Sequence, residues 1–547
     1  DFIVVGAGSA GSVLADRLSA DGKSNVLVLE YGGDDDSIFI RMPSALSIPM
    51  NNPRYNWGYV TEPEPGLGGR RLGVPRGKVI GGSSSINGLV YVRGNPLDFD
   101  RWEEEGAAGW GWRDVLPYFR KAEHRADGGN AYRGDSGPLR TRYGRLGNPL
   151  YKAFLDAAVE AGYPLTGDIN GFQQEGFGRL DMTVHDGRRW SAADAYLKPA
   201  MTRPNLSVRT RSLATQVLFQ GRRAVGVRYR RDGIERIALA EREVILCGGP
   251  INSPQLLKLS GVGPGAELAE FGVPVVADRP GVGENLQDHI EFYFQVASKV
   301  PITLFSSIGL FARALIGLRW LATGGGLGAT NHFEAAGFIR SRAGIRYPDI
   351  QYHFLPLAAA YDGSALATEH GFQAHVGPMR SKSRGHVRLR SRDPHDQPHI
   401  LFNYMSHPDD WAEMRAGVRL TREIFAQPAF AAYRGREILP GGDVETDEQI
   451  DAFIRDKVES AYHPSCSCRM GSADDPLAVV DSDTRVIGVE RLRVVDSSIM
   501  PSITTGNLNA PTIMIAEKAA DAILAHPRLA PSNAPYFVAA NWETAQR

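Results

Sequence analysis

The chain begins Asp1-Phe2-Ile3-Val4-Val5-Gly6-Ala7-Gly8-Ser9-Ala10-Gly11, and the reading of this stretch decides the fold. Its apolar, β-branched opening suits a strand buried on both faces of a parallel sheet. The glycines follow without a spacer, and Ser12 to Ser19 then carries helical periodicity through Val13, Leu14 and Leu18. A second apolar run, Val26 to Leu29, ends on Glu30. Strand, glycine turn, helix, strand and terminal acid form a dinucleotide-binding βαβ unit. Gly6 permits the tight turn, Gly8 lets backbone N–H groups approach a pyrophosphate, and Gly11 lets helix and strand pack closely. Ser9 and Ala10 open the helix whose positive end faces the phosphates, and Glu30 can accept from ribose hydroxyls.

The bulk composition narrows the function. The 547 residues are enough for two or more cores, and a net charge of -1 gives no electrostatic case for nucleic acid. Only Cys247, Cys466 and Cys468 are present, which fits a reducing compartment and a cytoplasmic protein. Cys466-x-Cys468 lacks zinc-site spacing, and no metal site is expected. H-E-x-x-H, a Walker loop and G-x-S-x-G do not occur, so zinc-protease, phosphoryl-transfer and serine-hydrolase chemistry have no footing. No secretory signal is read, because the glycine turn arrives at residue 6, and no apolar run reaches membrane-spanning length.

Further along, Met42 to Pro75 shows little periodicity, and Arg76 to Gly88 is rich in small residues, implying backbone laid against a ligand. One helix is predicted over Asp98 to Ala122 and another over Tyr151 to Ala161. Asn205–Val208, Gln216–Gln220 and Ala224–Tyr229 read as a β-meander. Glu243 to Leu246 reads as a parallel strand running into a glycine turn and helix. Ser306 to Thr323 is amphipathic, with Leu310, Phe311, Ala314, Leu315, Leu318 and Leu321 together; it is read as lining or covering the substrate domain, with a membrane-surface role as the alternative. Strands are predicted at Ile350–Leu355 and His386–Leu389, and helices at Trp411–Phe425 and Asp447–Lys457.

A second chemical cluster lies near the end. Ala461-Tyr462-His463-Pro464 puts a histidine directly after a helix, and Val494 to Pro501 is a strand entering a turn. Thr505-Gly506-Asn507-Leu508-Asn509-Ala510-Pro511-Thr512 opens a last helix, with Pro511 suited to its first position. These stretches, with Arg76 to Gly94 and Gly248 to Gly263, resemble the glucose–methanol–choline (GMC) flavoprotein oxidoreductases over nearly the whole chain. Tyr59 to Pro65, Gly281 to His289, Gln351 to Pro356, Arg384 to Val387, Phe402 to His407 and Tyr433 to Glu437 resemble its bacterial choline-oxidising branch.

The resemblance implies an α/β fold (α+β overall). An FAD-binding Rossmann-like domain from 1–155, 200–295 and 456–547 would join a substrate domain, 156–199 and 296–455, built on an antiparallel sheet flanked by helices. FAD would lie against Gly6, Gly8, Ser9, Ala10, Gly11, Glu30, Gly81, Gly82, Ser83, Asn87, Gly88, Val217, Asp496, Asn507, Pro511 and Thr512. His463 would be the catalytic base and Asn509 its partner, where other members carry a second histidine. Glu291 matches the acid that faces a quaternary ammonium in choline-oxidising relatives. Tyr462 and Trp57 are candidate cage walls, with Phe292, Tyr293 and Phe333 as further aromatics, and His353 matches another active-site histidine. Relatives that bind FAD covalently use a histidine where this chain has Ile86, so the flavin is expected to be non-covalent. The implied reaction is oxidation of a primary alcohol, choline first, to betaine aldehyde and onward to glycine betaine. The implied electron acceptor is a respiratory quinone, with peripheral membrane association. Alternatives are another aliphatic or aromatic alcohol, a lyase holding FAD on the same scaffold, and a non-catalytic flavin-binding module.

Overall fold

The first and last segments of the chain share one sheet in the computed structural model, which describes residues 1–360 and 368–547. Five strands run in the order Leu206–Arg209, Val26–Leu29, Phe2–Val5, Glu243–Leu246, Leu492–Val494, and every pairing is parallel. All four residues of Phe2–Val5 are buried, as a central strand requires. The chain leaves it through Gly6, at φ +102°, into the helix Ser9–Ser19. A Cβ on Gly11 would lie 1.9 Å from the Gly6 carbonyl oxygen, so only glycine lets this helix sit so close to the strand. The helix Asn509–Ile523 packs directly on Ser9–Ser19 and fills the core with Ile513, Met514 and Ile515.

The second large sheet is antiparallel. Its order is Arg434–Leu439, Ile290–Ser298, Gly371–Pro378, Ile350–Leu355, Ala335–Ile339, Gly176–Arg179, with Glu459–Ser460 pairing the start of Ile290–Ser298. Strand alternation sorts its side chains. Phe292 and Phe294 enter an aromatic core under the helix Pro408–Ala426, while Glu291 and Tyr293 face the other way. Ile290–Ser298 is one continuous strand of this sheet, and the expected boundary at residue 295 would cut through it.

Other expectations change in detail. The predicted 98–122 helix is two, Pro96–Glu104 and Trp112–Ala122, separated where Gly106 and Gly109 adopt positive φ. The first is closed by an Asn95–Asp98 capping box. Leu206–Arg209 belongs to the parallel sheet, and the meander is formed by Ser212–Gln220, Arg223–Arg231 and the unforeseen Ile234–Leu239. The last helix starts at Asn509, which puts Pro511 third instead of first. In Leu310–Thr323 only Trp320 is buried, its indole donating to the Gly187 carbonyl, and the large apolar residues of the helix face solvent. Periodicity identified an amphipathic helix but not what its apolar face meets.

Replacing Gly11 with Ala forces a methyl group against the Gly6 carbonyl. The expected result is loss of ~1–3 kcal/mol of stability, typical of overpacking, together with weakened flavin retention. Denaturant midpoints and the protein-bound absorbance near the flavin band check both.

Candidate active site

One cleft runs between the two sheets, lined at one end by Gly6, Gly8, Glu30 and Ala214 and at the other by Glu291, His353, His463 and Asn507. At the first end the helix Ser9–Ser19 starts with no side chain capping it, leaving first-turn amides available to an anion. Glu30 is buried and accepts from the amides of Ala7 at 2.8 Å and Gly32 at 2.7 Å, which fixes its carboxylate at the strand tip. The small-residue segment after Arg76 abuts the turn: the Gly81 amide donates to Ala7, and a Cβ on Gly82 would stand 2.6 Å from the Gly8 Cα. These features fit a dinucleotide lying along the cleft.

Ser9, Ala10, Gly82, Ser83, Asn87, Gly88, Asp496 and Thr512 also line the cleft, as does Ile86. Gly11 and Gly81 support the turn from behind it. Asp496 holds the Gly249 amide, the Ser253 hydroxyl and the Ser498 amide. Two expected contacts are corrected. Val217 is buried with its amide on Ser260 Oγ, and the cleft residues of its strand are Ser212, Leu213 and Ala214, earlier in the same strand. Pro511 lies within the first turn of the last helix and outside the cleft wall.

The expected pair of His463 and Asn509 is also corrected. Asn509 Oδ1 accepts from Ser9 Oγ at 2.7 Å, joining the last helix to the first. The side chain at His463 is Asn507, whose Nδ2 donates to His463 Nε2 at 3.0 Å. Asn507 sits in a loop pinned by buried Asp98, which accepts from the Thr505 amide at 2.6 Å and its hydroxyl at 3.0 Å. The two asparagines straddle the loop-to-helix junction, so they diverge, and an N-x-N spacing gave no sign of which would reach the histidine.

Asp288 and His289 close the Gly281 to His289 stretch, whose sequence carried a resemblance but no role for either residue. Buried Asp288 accepts from the His463 amide at 2.7 Å, Ser460 Oγ at 2.5 Å and Tyr404 Oη at 2.5 Å. Burial pushes its carboxyl up to about 6. His289 Nε2 lies 3.0 Å from the Met379 carbonyl oxygen, and its Nδ1 lies 3.1 Å from His463 Nδ1. A carbonyl can only accept, so His289 carries its proton on Nε2. Burial lowers His289 to about 4, so it is neutral and its Nδ1 accepts from His463. Burial, reinforced by His289, His353 and Arg76, holds His463 well below 6.5. The neutral His463 therefore carries its proton on Nδ1 and presents a bare Nε2 to the cleft: a base set by its neighbours.

Glu291 is buried against His375, whose Nδ1 donates to its Oε1 at 2.8 Å. The tautomer is again fixed. Gln373 accepts from the Ala359 amide and donates to the Ala359 carbonyl, so its Nε2 must donate to His375 Nε2 at 2.7 Å. Glu291 thus rests on a neutral imidazole and brings a carboxylate to the cleft wall. Trp57 and Tyr462 line the same cleft; Trp57 packs between Tyr31 and Tyr59. Tyr293 and Phe333 pack on His375, and Phe333 also on His353, behind that wall, whereas Phe292 points into the opposite core. His353 borders the cleft, lowered to about 4 by burial, with Nε2 beside Gln351 and Asn507.

The GMC oxidoreductase family model matches residues 1–291 with its N-terminal part and 381–516 with its C-terminal part. The chain belongs to the GMC oxidoreductase family. Proteins named oxygen-dependent choline dehydrogenase from Brucella ovis and Rhizobium rhizogenes are 57% and 58% identical over 547 residues, covering 100% of this chain and of each relative. Among solved structures, pyridoxine 4-oxidase from Mesorbium loti is similar at TM-score 0.87 and 31% identity, covering 96% of this chain and 99% of that one. An Aspergillus oryzae formate oxidase variant, studied for its FAD modification, is similar at TM-score 0.89 and 26% identity over 96% and 98% of the two chains. Family membership bears out the expected FAD-dependent alcohol oxidoreductase.

Two outcomes test the geometry. Asn507→Ala should lower kcat by ~10²-fold through lost positioning at the base, whereas Asn509→Ala should mainly weaken flavin binding; steady-state rates and flavin content separate them. His289 and His353 titrate near 6.5 when unfolded and about 4 when folded, so an unfolded chain binds more protons between these values. Stability contributed by burying them neutral is complete above pH 6.5 and declines as the pH falls toward 4, as denaturation midpoints across that range would report.

Proposed function

We propose that this enzyme oxidises choline to betaine aldehyde, and that Glu291 selects the cation. The observation that carries this reading is a buried carboxylate, backed by a neutral histidine, in a cleft that Trp57 and Tyr462 also line and into which a neutral His463 presents its Nε2. A quaternary ammonium has no N–H to donate, so it is recognised by charge and aromatic faces. The full-length relatives named choline dehydrogenase support the same substrate. Betaine aldehyde, as its hydrate, is again an alcohol, and its oxidation to glycine betaine in the same cleft is included in the proposal.

In this reading the substrate hydroxyl displaces the Asn507 N–H from His463 Nε2, and that nitrogen takes the hydroxyl proton. The freed Asn507 amide then donates to the developing alkoxide. FAD, when bound, supplies the acceptor for the hydride leaving the carbinol carbon. His289 and the Met379 carbonyl keep Nδ1 protonated, so that only Nε2 can accept. Ile86 offers no imidazole, and the flavin is held without a covalent bond; acid denaturation should release it into the supernatant, and flavin retained on the precipitated chain would contradict this.

We assign 1–155, 200–289 and 456–547 to cofactor binding and 156–199 and 290–455 to the alcohol, with the boundary moved to keep Ile290–Ser298 whole. For the electron acceptor we propose a respiratory quinone. The relatives' name points to dioxygen, and reoxidation of the reduced enzyme by each acceptor distinguishes the two.

Glu291→Gln is expected to raise the KM for choline by ~10²-fold, in keeping with loss of a desolvated cation partner, while a neutral primary alcohol of similar size is oxidised with little change. Equal effects on both substrates would show that Glu291 does not read charge.

A further inference from the structure

The helix Leu310–Thr323 meets the rest of the protein along a narrow stripe, Ala312, Ile316 and buried Trp320, whose indole N–H donates to the Gly187 carbonyl at 2.6 Å. Its large apolar residues are left in solvent: Leu310 is 87% exposed, Phe311 78%, Leu315 51%, Leu318 62% and Leu321 60%. At about 100° per residue these five fall within a sector of about 140°, opposite the anchoring stripe. Arg313 and Arg319 flank that sector, one on each side, and neither has an ion-pair partner among the described residues. No Asp or Glu occurs between Glu291 and Glu334, while Lys299, Arg313 and Arg319 do.

An apolar sector bordered by unneutralised guanidinium groups matches the boundary between acyl chains and anionic headgroups. Long arginine side chains can reach the headgroups while the leucines and Phe311 enter the hydrocarbon. The turn that follows the helix packs on a segment leading to the cleft. The turn Gly326–Ala329, with Leu327 exposed, packs against Pro43–Ala45, in a segment that continues to Met50 on the cleft wall. We infer that Leu310–Thr323 is an in-plane docking helix for an anionic lipid surface. It seats the enzyme peripherally, since no helix among the described residues is long and apolar enough to cross a membrane. This inference does not depend on the choline assignment.

The test is flotation of holoenzyme with vesicles of phosphatidylcholine containing phosphatidylglycerol, and with phosphatidylcholine alone. Wild-type enzyme should float with the anionic vesicles in a salt-sensitive manner. The double variant Leu315→Glu, Leu318→Glu should bind at least ~tenfold less, and Arg313→Gln with Arg319→Gln should lose the preference for anionic vesicles. All variants should keep their flavin and their turnover with choline and a soluble dye, which separates this question from that of the substrate. Failure of wild-type enzyme to float, or flotation unaltered in the leucine variant, would overturn the inference. So would a concentration-dependent dimer that the leucine variant abolishes in sedimentation, because the face would then belong to a second copy of the chain.

Discussion

Glu517, fully buried on the last helix, joins the two ends of the polypeptide. Both its oxygens accept from Arg17 on the first helix, at 2.9 and 2.6 Å, and the Tyr196 hydroxyl adds a third bond at 2.9 Å. Lys121 approaches the same carboxylate at 3.3 Å. A buried ion pair stabilises only when its desolvation is offset by such multiple, well-aligned partners, and removing one member typically costs ~3–5 kcal/mol. Here the pair fixes the last helix in register on the first, as does the bond from Ser9 to Asn509. That register brings the loop carrying Asn507 to the end of the cleft that begins at the glycine turn.

At that end no polar side chain is oriented by itself. Asp288 holds the backbone of His463, the Met379 carbonyl fixes the proton of His289, and His289 in turn fixes the proton of His463. Burial favours the neutral imidazole of His289 and of His463, and because the Met379 carbonyl can only accept, the order of donors and acceptors between them has one consistent solution. The Glu291 arm follows the same logic, with Ala359 fixing Gln373, Gln373 fixing His375, and His375 holding the carboxylate. An unprotonated base and a negative charge thereby share one cleft without a mutual bond. That combination suits an alcohol which is also a cation.

The parallel sheet was legible from the opening residues because strand, glycine turn and terminal acid each carry their own signature. The place of His463 in the cleft was legible through its setting in Tyr462-His463-Pro464. What could not be read were contacts that depend on direction. Asn507 and Asn509 are chemically equal in sequence, and only the bend into the last helix assigns one to His463 and the other to Ser9. Val217 lies farther along its strand than the residues that line the cleft, and the exposed side of Leu310–Thr323 has the same periodicity as a buried one. His289 and His375 act through partners more than 80 residues away, Met379 and Glu291, which no local pattern links to them.

The central claim is that a bare His463 Nε2 and Glu291 face one flavin-binding cleft, so that a cationic alcohol is oxidised there. Stopped-flow mixing of the anaerobic holoenzyme with choline tests it most directly. The account predicts saturable bleaching of the flavin band by the wild type and none on the same timescale by His463→Ala that retains its flavin. A wild-type flavin that stays oxidised with choline, or bleaching undiminished in the His463 variant, would contradict it.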